Sequence, residues 1–129
     1  MDITWLGHSC FRLHDADMVV VTDPYPASVG LRVDGRPASV VTVSNTHPNH
    51  DNTASIEGDP KVFRDPGEYE YNGVTARGVM TPLADDQPQT ERNVASQVAH
   101  GLDQTEGEGG GGGCWRGSKV SRFECCCVR

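Results

Sequence analysis

Ile3 and Trp5 alternate with polar neighbours over Asp2 to Leu6, the period of a half-buried β-strand. Gly7-His8-Ser9 breaks the pattern, and Phe11 and Leu13 then alternate with Arg12 and His14 as a second strand. After the turn Asp15-Ala16-Asp17 comes the apolar run Met18-Val19-Val20-Val21, which stops at Thr22-Asp23-Pro24. These segments predict a meander of three short strands. Pro26 to Ala38 reads as a loop or irregular connection. Val40 to Val43 is β-branched throughout, which favours a strand buried on both faces. Asn52 to Glu57 can form one and a half helical turns, capped by Asp51 or Asn52 and stopped by Gly58 and Pro60. Lys61-Val62-Phe63 is a brief strand. In Glu68 to Val79 two alternating segments flank Asn72-Gly73, a pair suited to a type I′ hairpin turn. Pro82 to Gln89 is polar and reads as a loop.

From about Ala95 the periodicity disappears. Gly107 to Gly113 is almost pure glycine, a flexible tract, and Cys114 and Cys125-Cys126-Cys127 follow without a strand or helix pattern. Charge divides the chain at the same place. The net charge is −7, and residues 1–95 account for all of it, with 7 basic and 14 acidic side chains. At 129 residues, 36% of them hydrophobic, the chain has room for one domain with a modest core. The acidic balance and the lack of a Lys/Arg cluster argue against nucleic acid or an anionic membrane as partner. Met1-Asp2-Ile3-Thr4-Trp5 carries no basic, apolar leader, which makes the cytoplasm the default location.

The candidate chemistry sits after Val43. Imidazoles at positions 47 and 50 follow a buried strand, at the end where open α/β sheets bind their ligands, and can point into one small volume. Asp23 is either a turn opener before Pro24, which would hold it extended, or a carboxylate that orients a histidine. His8 is either a rim residue of the same site or a loop histidine bonded to backbone. Asp51 is a helix cap or, less simply, a ligand. His14 and His100 read as solvated, and Cys10 as a small core residue. No C-x-x-C pair exists, and the final Cys126-Cys127-Val128-Arg129 fits a prenylation box poorly.

Asn45-Thr46-His47-Pro48-Asn49-His50 resembles the H-x-H-x-D-H motif of the metallo-β-lactamase superfamily, with Asn45 where that family has histidine and Asn49 where it has aspartate. Trp5-Leu6-Gly7-His8-Ser9, Thr22-Asp23-Pro24 and Gly67-Glu68-Tyr69-Glu70 are similar to a branch of small metal-dependent hydrolases that includes ascorbate-phosphate lactonases. The resemblance runs from Met1 to about Val94. It implies an α/β fold, the αββα sandwich, with residues 1–95 as its N-terminal half: mostly β meander, with one short helix. Residues 96–129 would then be a disordered or out-of-frame tail, as a shifted reading frame or a decayed gene would leave; under the family pattern Arg92-Asn93-Val94 would begin a further strand.

The resemblance further implies a divalent ion, zinc or manganese, and hydrolysis of a small ester, lactone or phosphoester. His47 and His50 would be ligands and Asp23 the residue that orients them. Asn45 offers only an amide oxygen, and Asn49 has no charge with which to act as a base. The expectation is a metal-dependent hydrolase of low or no activity. The alternative is a non-catalytic half-domain that binds metal weakly or self-associates to cover an open sheet.

Overall fold

The computed structural model describes residues 1–82, 93–100 and, for the backbone, 121–125. Its strands are β1 (Asp2–Gly7), β2 (Cys10–Asp15), β3 (Met18–Thr22), β4 (Val40–Thr42), β5 (Lys61–Phe63), β6 (Gly67–Tyr71), β7 (Val74–Met80), β8 (Val94–His100) and β9 (Ser121–Cys125). They form a five-stranded sheet in the order β1-β2-β3-β4-β5 and a four-stranded sheet in the order β6-β7-β8-β9. The expected meander is present: β1, β2 and β3 are antiparallel neighbours. β4 then joins β3 in parallel through Val20↔Val40 and Thr22↔Thr42. The hairpin of β6 and β7 turns at Asn72 and Gly73, both at positive φ (49° and 77°), as a type I′ turn demands.

The sheets pack face to face. Leu13, Met18, Val20 and Val40 of the first meet Val74, Ala76 and Val98 of the second in one apolar cluster. The other face of the first sheet carries Cys10, Val21, Val41 and Val43, covered by Tyr25 and Ile56 from the connections. β4 is therefore enclosed on both sides, as its unbroken β-branched run predicts.

Cys10 lies in this second layer with no exposed surface. Burial, reinforced by Asp23, pushes its thiol up to about 12. Since only the thiolate is nucleophilic, alkylation by iodoacetamide at pH 8 should be about a thousandfold slower at Cys10 than at an ordinary thiol. Peptide mapping of a timed reaction measures this, and labelling of Cys10 at the ordinary rate would disprove the burial.

Four expectations require correction. The helix over Asn52 to Glu57 shrinks to a single 3-10 turn, Thr53–Ser55, and Asn52 makes no side-chain cap. Ile56, 5% exposed, is extended (φ −95°, ψ 123°) so that it reaches the core, and this pull ends the helix. The side chain of Asp51 lies 3.2 Å from the Arg64 guanidinium instead of capping. Asp23 is not extended: its φ is +41°. His100 is half-buried, its Nδ1 3.2 Å from Asp15 Oδ2, a contact that links β8 to β2.

The described residues contain helix only as two 3-10 turns, so the two β layers are seen and the α layers of the αββα expectation are not. β8 starts at Val94 as the family pattern requires and runs through Ala95 to His100, beyond the loss of periodicity. Its ladder to β7 has seven paired positions, and β9 pairs on its other side. Most of the loop from Pro82 to Gln89, and the glycine tract within the expected tail, lie outside the described residues.

Candidate functional site

The site forms where β4 ends. Asp23, at the end of β3, is 1% exposed and its φ lies in the left-handed region, a conformation that aspartate tolerates better than most residues. Its Oδ1 accepts the Ser44 backbone N–H at 2.7 Å, and its Oδ2 accepts the Ser44 hydroxyl at 2.6 Å. Backbone strain at a site persists only where the surroundings hold it, and this pair of bonds does so. Ser44 in turn accepts the Val94 N–H on its carbonyl at 2.6 Å, so the first turn of the loop is tied to both sheets.

His50 is 4% exposed. Its Nδ1 lies 3.4 Å from Asp23 Oδ2 and 3.0 Å from Ser9 Oγ. Ser9 Oγ is also 2.9 Å from Nδ1 of the exposed His8, and the two imidazoles meet edge to face with centroids 4.9 Å apart. Ser44, Asp23, His50, Ser9 and His8 thus form one continuous polar line from the core to the surface. A carboxylate bonded to one imidazole nitrogen sets the tautomer and raises the basicity of the other.

His47 has different partners. Its N–H donates to Asn45 Oδ1 at 2.7 Å, and its Nδ1 accepts the Asn49 N–H at 3.1 Å. Its carbonyl accepts the His50 N–H at 2.9 Å. Asn45 and Asn49 therefore staple the loop to itself. Of the residues singled out in the sequence, His50, Asp23 and His8 come together, while His47, Asn45 and Asn49 form a separate local network.

Behind the line, Tyr25 is fully buried and its hydroxyl donates to the Leu6 carbonyl at 2.5 Å. Asn52 holds the same segment, donating from its side chain to the Tyr25 carbonyl and from its backbone to that of Pro24. Gly7, at φ +107°, must be glycine here, because a Cβ would stand 3.1 Å from the Tyr25 hydroxyl oxygen and 2.7 Å from Leu31. Sequence reasoning missed Ser9 and Ser44. Ser9 beside His8, and Ser44 directly after a buried strand, were the only local signals.

A family profile described as the beta-lactamase superfamily domain matches residues 2–106. The chain belongs to the metallo-β-lactamase superfamily. Among solved structures it is similar to a protein from Thermotoga maritima assigned as a Zn-dependent hydrolase of the metallo-β-lactamase superfamily, with 33% identity and a TM-score of 0.58. That likeness covers 76% of this chain and 43% of the other. Metal-dependent hydrolases of Brucella canis and Brucella suis biovar 1 are each 36% identical over 55 residues, 40% of this chain and 23% of theirs. The chain therefore spans less than half the length of these superfamily relatives.

Superfamily membership raises the question of an ion. His50 fits as a ligand through Nε2, because its Nδ1 faces the Asp23 carboxylate at 3.4 Å and the Ser9 hydroxyl at 3.0 Å. His47 does not fit through Nε2 in the arrangement it adopts, since a neutral ring that accepts at Nδ1 carries its proton on Nε2. Among the described residues no three His, Cys, Asp or Glu gather into a group that could hold a metal ion. A tetrahedral zinc site needs three or four protein ligands, so these residues do not make a complete cage.

Proposed function

We propose that this chain is a hydrolase-type member of its superfamily, with a small ester, lactone or phosphoester as substrate and a divalent ion, zinc or manganese, as cofactor. In this reading the described residues contribute one oriented imidazole, that of His50. The observation that carries the reading is His50, buried against a carboxylate that is itself clamped by two bonds from Ser44. A buried carboxylate–imidazole pair at the end of a parallel strand is costly to build, and its chemistry suits either ligation or proton transfer. The names of the Brucella and Thermotoga relatives, metal-dependent and Zn-dependent hydrolases, support the same reaction class. The absence of a basic cluster supports a small molecule over nucleic acid or an anionic membrane, and a cytoplasmic location is part of the proposal. No helix among the described residues is long and apolar enough to cross a membrane.

Manganese and zinc titrations by calorimetry, with chelator-sensitive hydrolysis of an activated ester, test this reading. His50→Ala should lower ion affinity and turnover by at least about tenfold, whereas His47→Ala should change either by less than about threefold. The reverse ranking would return the site to His47. Absence of both binding and turnover in the wild-type chain would favour the second reading, a non-catalytic module that self-associates. A specific observation speaks for that alternative: Ile3 and Trp5, 54% and 65% exposed, lie on the edge strand β1. An obligate dimer on gel filtration without turnover would support it.

A further inference from the structure

We infer that Asn45 is a positioning residue, one that shapes the loop leading to His50 without the help of an ion. The inference goes beyond the hydrolase reading and stands whether or not His50 takes a metal.

A loop leaves backbone N–H groups in need of partners once strand pairing ends. Here the chain supplies them. Ser44 donates its N–H to Asp23 Oδ1 at 2.7 Å, His47 to Asn45 Oδ1 at 2.7 Å, and Asn49 to His47 Nδ1 at 3.1 Å. His50 donates to the His47 carbonyl and Asn52 to the Pro24 carbonyl, both at 2.9 Å. Every bond in this set joins two groups of the protein, so none of them waits for a ligand.

The Asn45 bond is an Asx turn, in which a side-chain oxygen accepts the N–H two residues on and mimics a turn of backbone. Asn45 is itself fixed in place. It bridges Asn93 as an isolated antiparallel pair, and the Ser44 carbonyl before it accepts the Val94 N–H at 2.6 Å. The second sheet therefore holds the start of the loop, and the Asx turn fixes the direction in which His47 leaves it. Pro48 follows, and proline presets the φ that the second place of a β-turn needs. That turn closes with the His50 N–H on the His47 carbonyl and delivers His50 to the core at 4% exposure.

In the motif that this loop resembles, position 45 holds a histidine. Asparagine there gives up a nitrogen that ligates metals and engages its amide oxygen inside the loop instead. A loop held by an ion gains its order as the ion binds. This one draws its order from Asn45 on one side and, on the other, from Asn52, bonded to the carbonyls of Pro24 and Tyr25. Asparagine at position 45 thus replaces a restraint made by a metal with one made by a hydrogen bond.

Amide hydrogen exchange of the full chain, read residue by residue by NMR, tests this. In wild-type protein treated with EDTA, the His47 and Asn49 amides should exchange at least about tenfold more slowly than in an unstructured chain, and zinc chloride should change neither by more than about twofold. Asn45→Ala should speed both by about tenfold. Asn45→Asp, which keeps an acceptor at the same place, should return both to within about twofold of wild type. Amides of β2 and β3 report whether each variant is folded. Loop amides that exchange freely in EDTA and slow only with zinc would overturn the inference. So would exchange in Asn45→Asp as fast as in Asn45→Ala, or exchange in Asn45→Ala equal to wild type. If Asn45→Ala loses protection in β2 and β3, the wild-type comparison and Asn45→Asp still decide. Neither turnover nor ion affinity enters these readouts, so their failure is separable from that of the hydrolase reading.

Discussion

Asp23→Ala should destabilise the protein by about 3 kcal/mol in urea unfolding. The substitution leaves the Ser44 N–H and hydroxyl buried without the carboxylate oxygens that lie 2.7 and 2.6 Å away, and it places alanine at φ +41°. Loss of one acceptor from a buried donor costs about 1–3 kcal/mol, and a non-glycine residue in the left-handed region adds roughly 1 kcal/mol more. Asp23→Asn separates the structural role from the chemical one. Asparagine tolerates the backbone and its carbonyl still accepts the Ser44 N–H, so stability should fall by only about 1 kcal/mol. Its amide, however, removes the negative charge that faces His50 Nδ1 at 3.4 Å. Whatever His50 binds through Nε2 should weaken by about 10–100-fold. A drop below about 1 kcal/mol for Asp23→Ala would mean that the carboxylate does not hold the loop.

Arg12→Ala should cost a similar amount, about 3 kcal/mol, by another route. Arg12 is 7% exposed, and its guanidinium donates to three backbone carbonyls: Pro37 at 3.1 Å, Asp34 at 3.3 Å and Arg36 at 2.7 Å. Its Nε also lies 3.6 Å from Asp34 Oδ2. Burial pulls its pKa down, with Asp34 opposing, and the cation is accepted because the fork meets several oxygens at once. The connection between β3 and β4 contains only one 3-10 turn, Ala27–Val29, so this side chain substitutes for the regular hydrogen bonding that the segment lacks. Arg12→Lys should recover less than half of the loss, because a compact ammonium cannot reproduce a planar fork. Limited proteolysis should then cut the variant first between residues 31 and 39. Cutting elsewhere first would disprove the clamp.

Much of the architecture was legible in the chain. The meander, the buried strand at Val40 and the hairpin at Asn72-Gly73 each rest on a short-range signal: a period of two, an unbroken β-branched run, and a turn pair suited to positive φ. Arg12 was unreadable, because on an alternating strand it looks like a solvent-facing residue. Its opposite number is Val21 on β3, and only the loop folded over that face turns a surface charge into a buried one. The helix over Asn52 to Glu57 failed for a related reason: local capping residues were outweighed by the need to bury Ile56.

The histidine loop divides in the same way. That a metallo-β-lactamase-type motif stands after β4, with asparagine at positions 45 and 49, is a property of the sequence alone. So is the acidic balance, a net charge of −7. Which imidazole is oriented was a tertiary decision. Ser9, Asp23 and His50 are 14 or more positions apart along the chain, and they meet because β1, β2 and β3 fold back antiparallel and β4 then joins β3 in parallel. Local patterning sets periodicity and turns because those depend on neighbours a few bonds away. A proton's place on an imidazole depends on acceptors brought from distant strands, and only the folded chain supplies them.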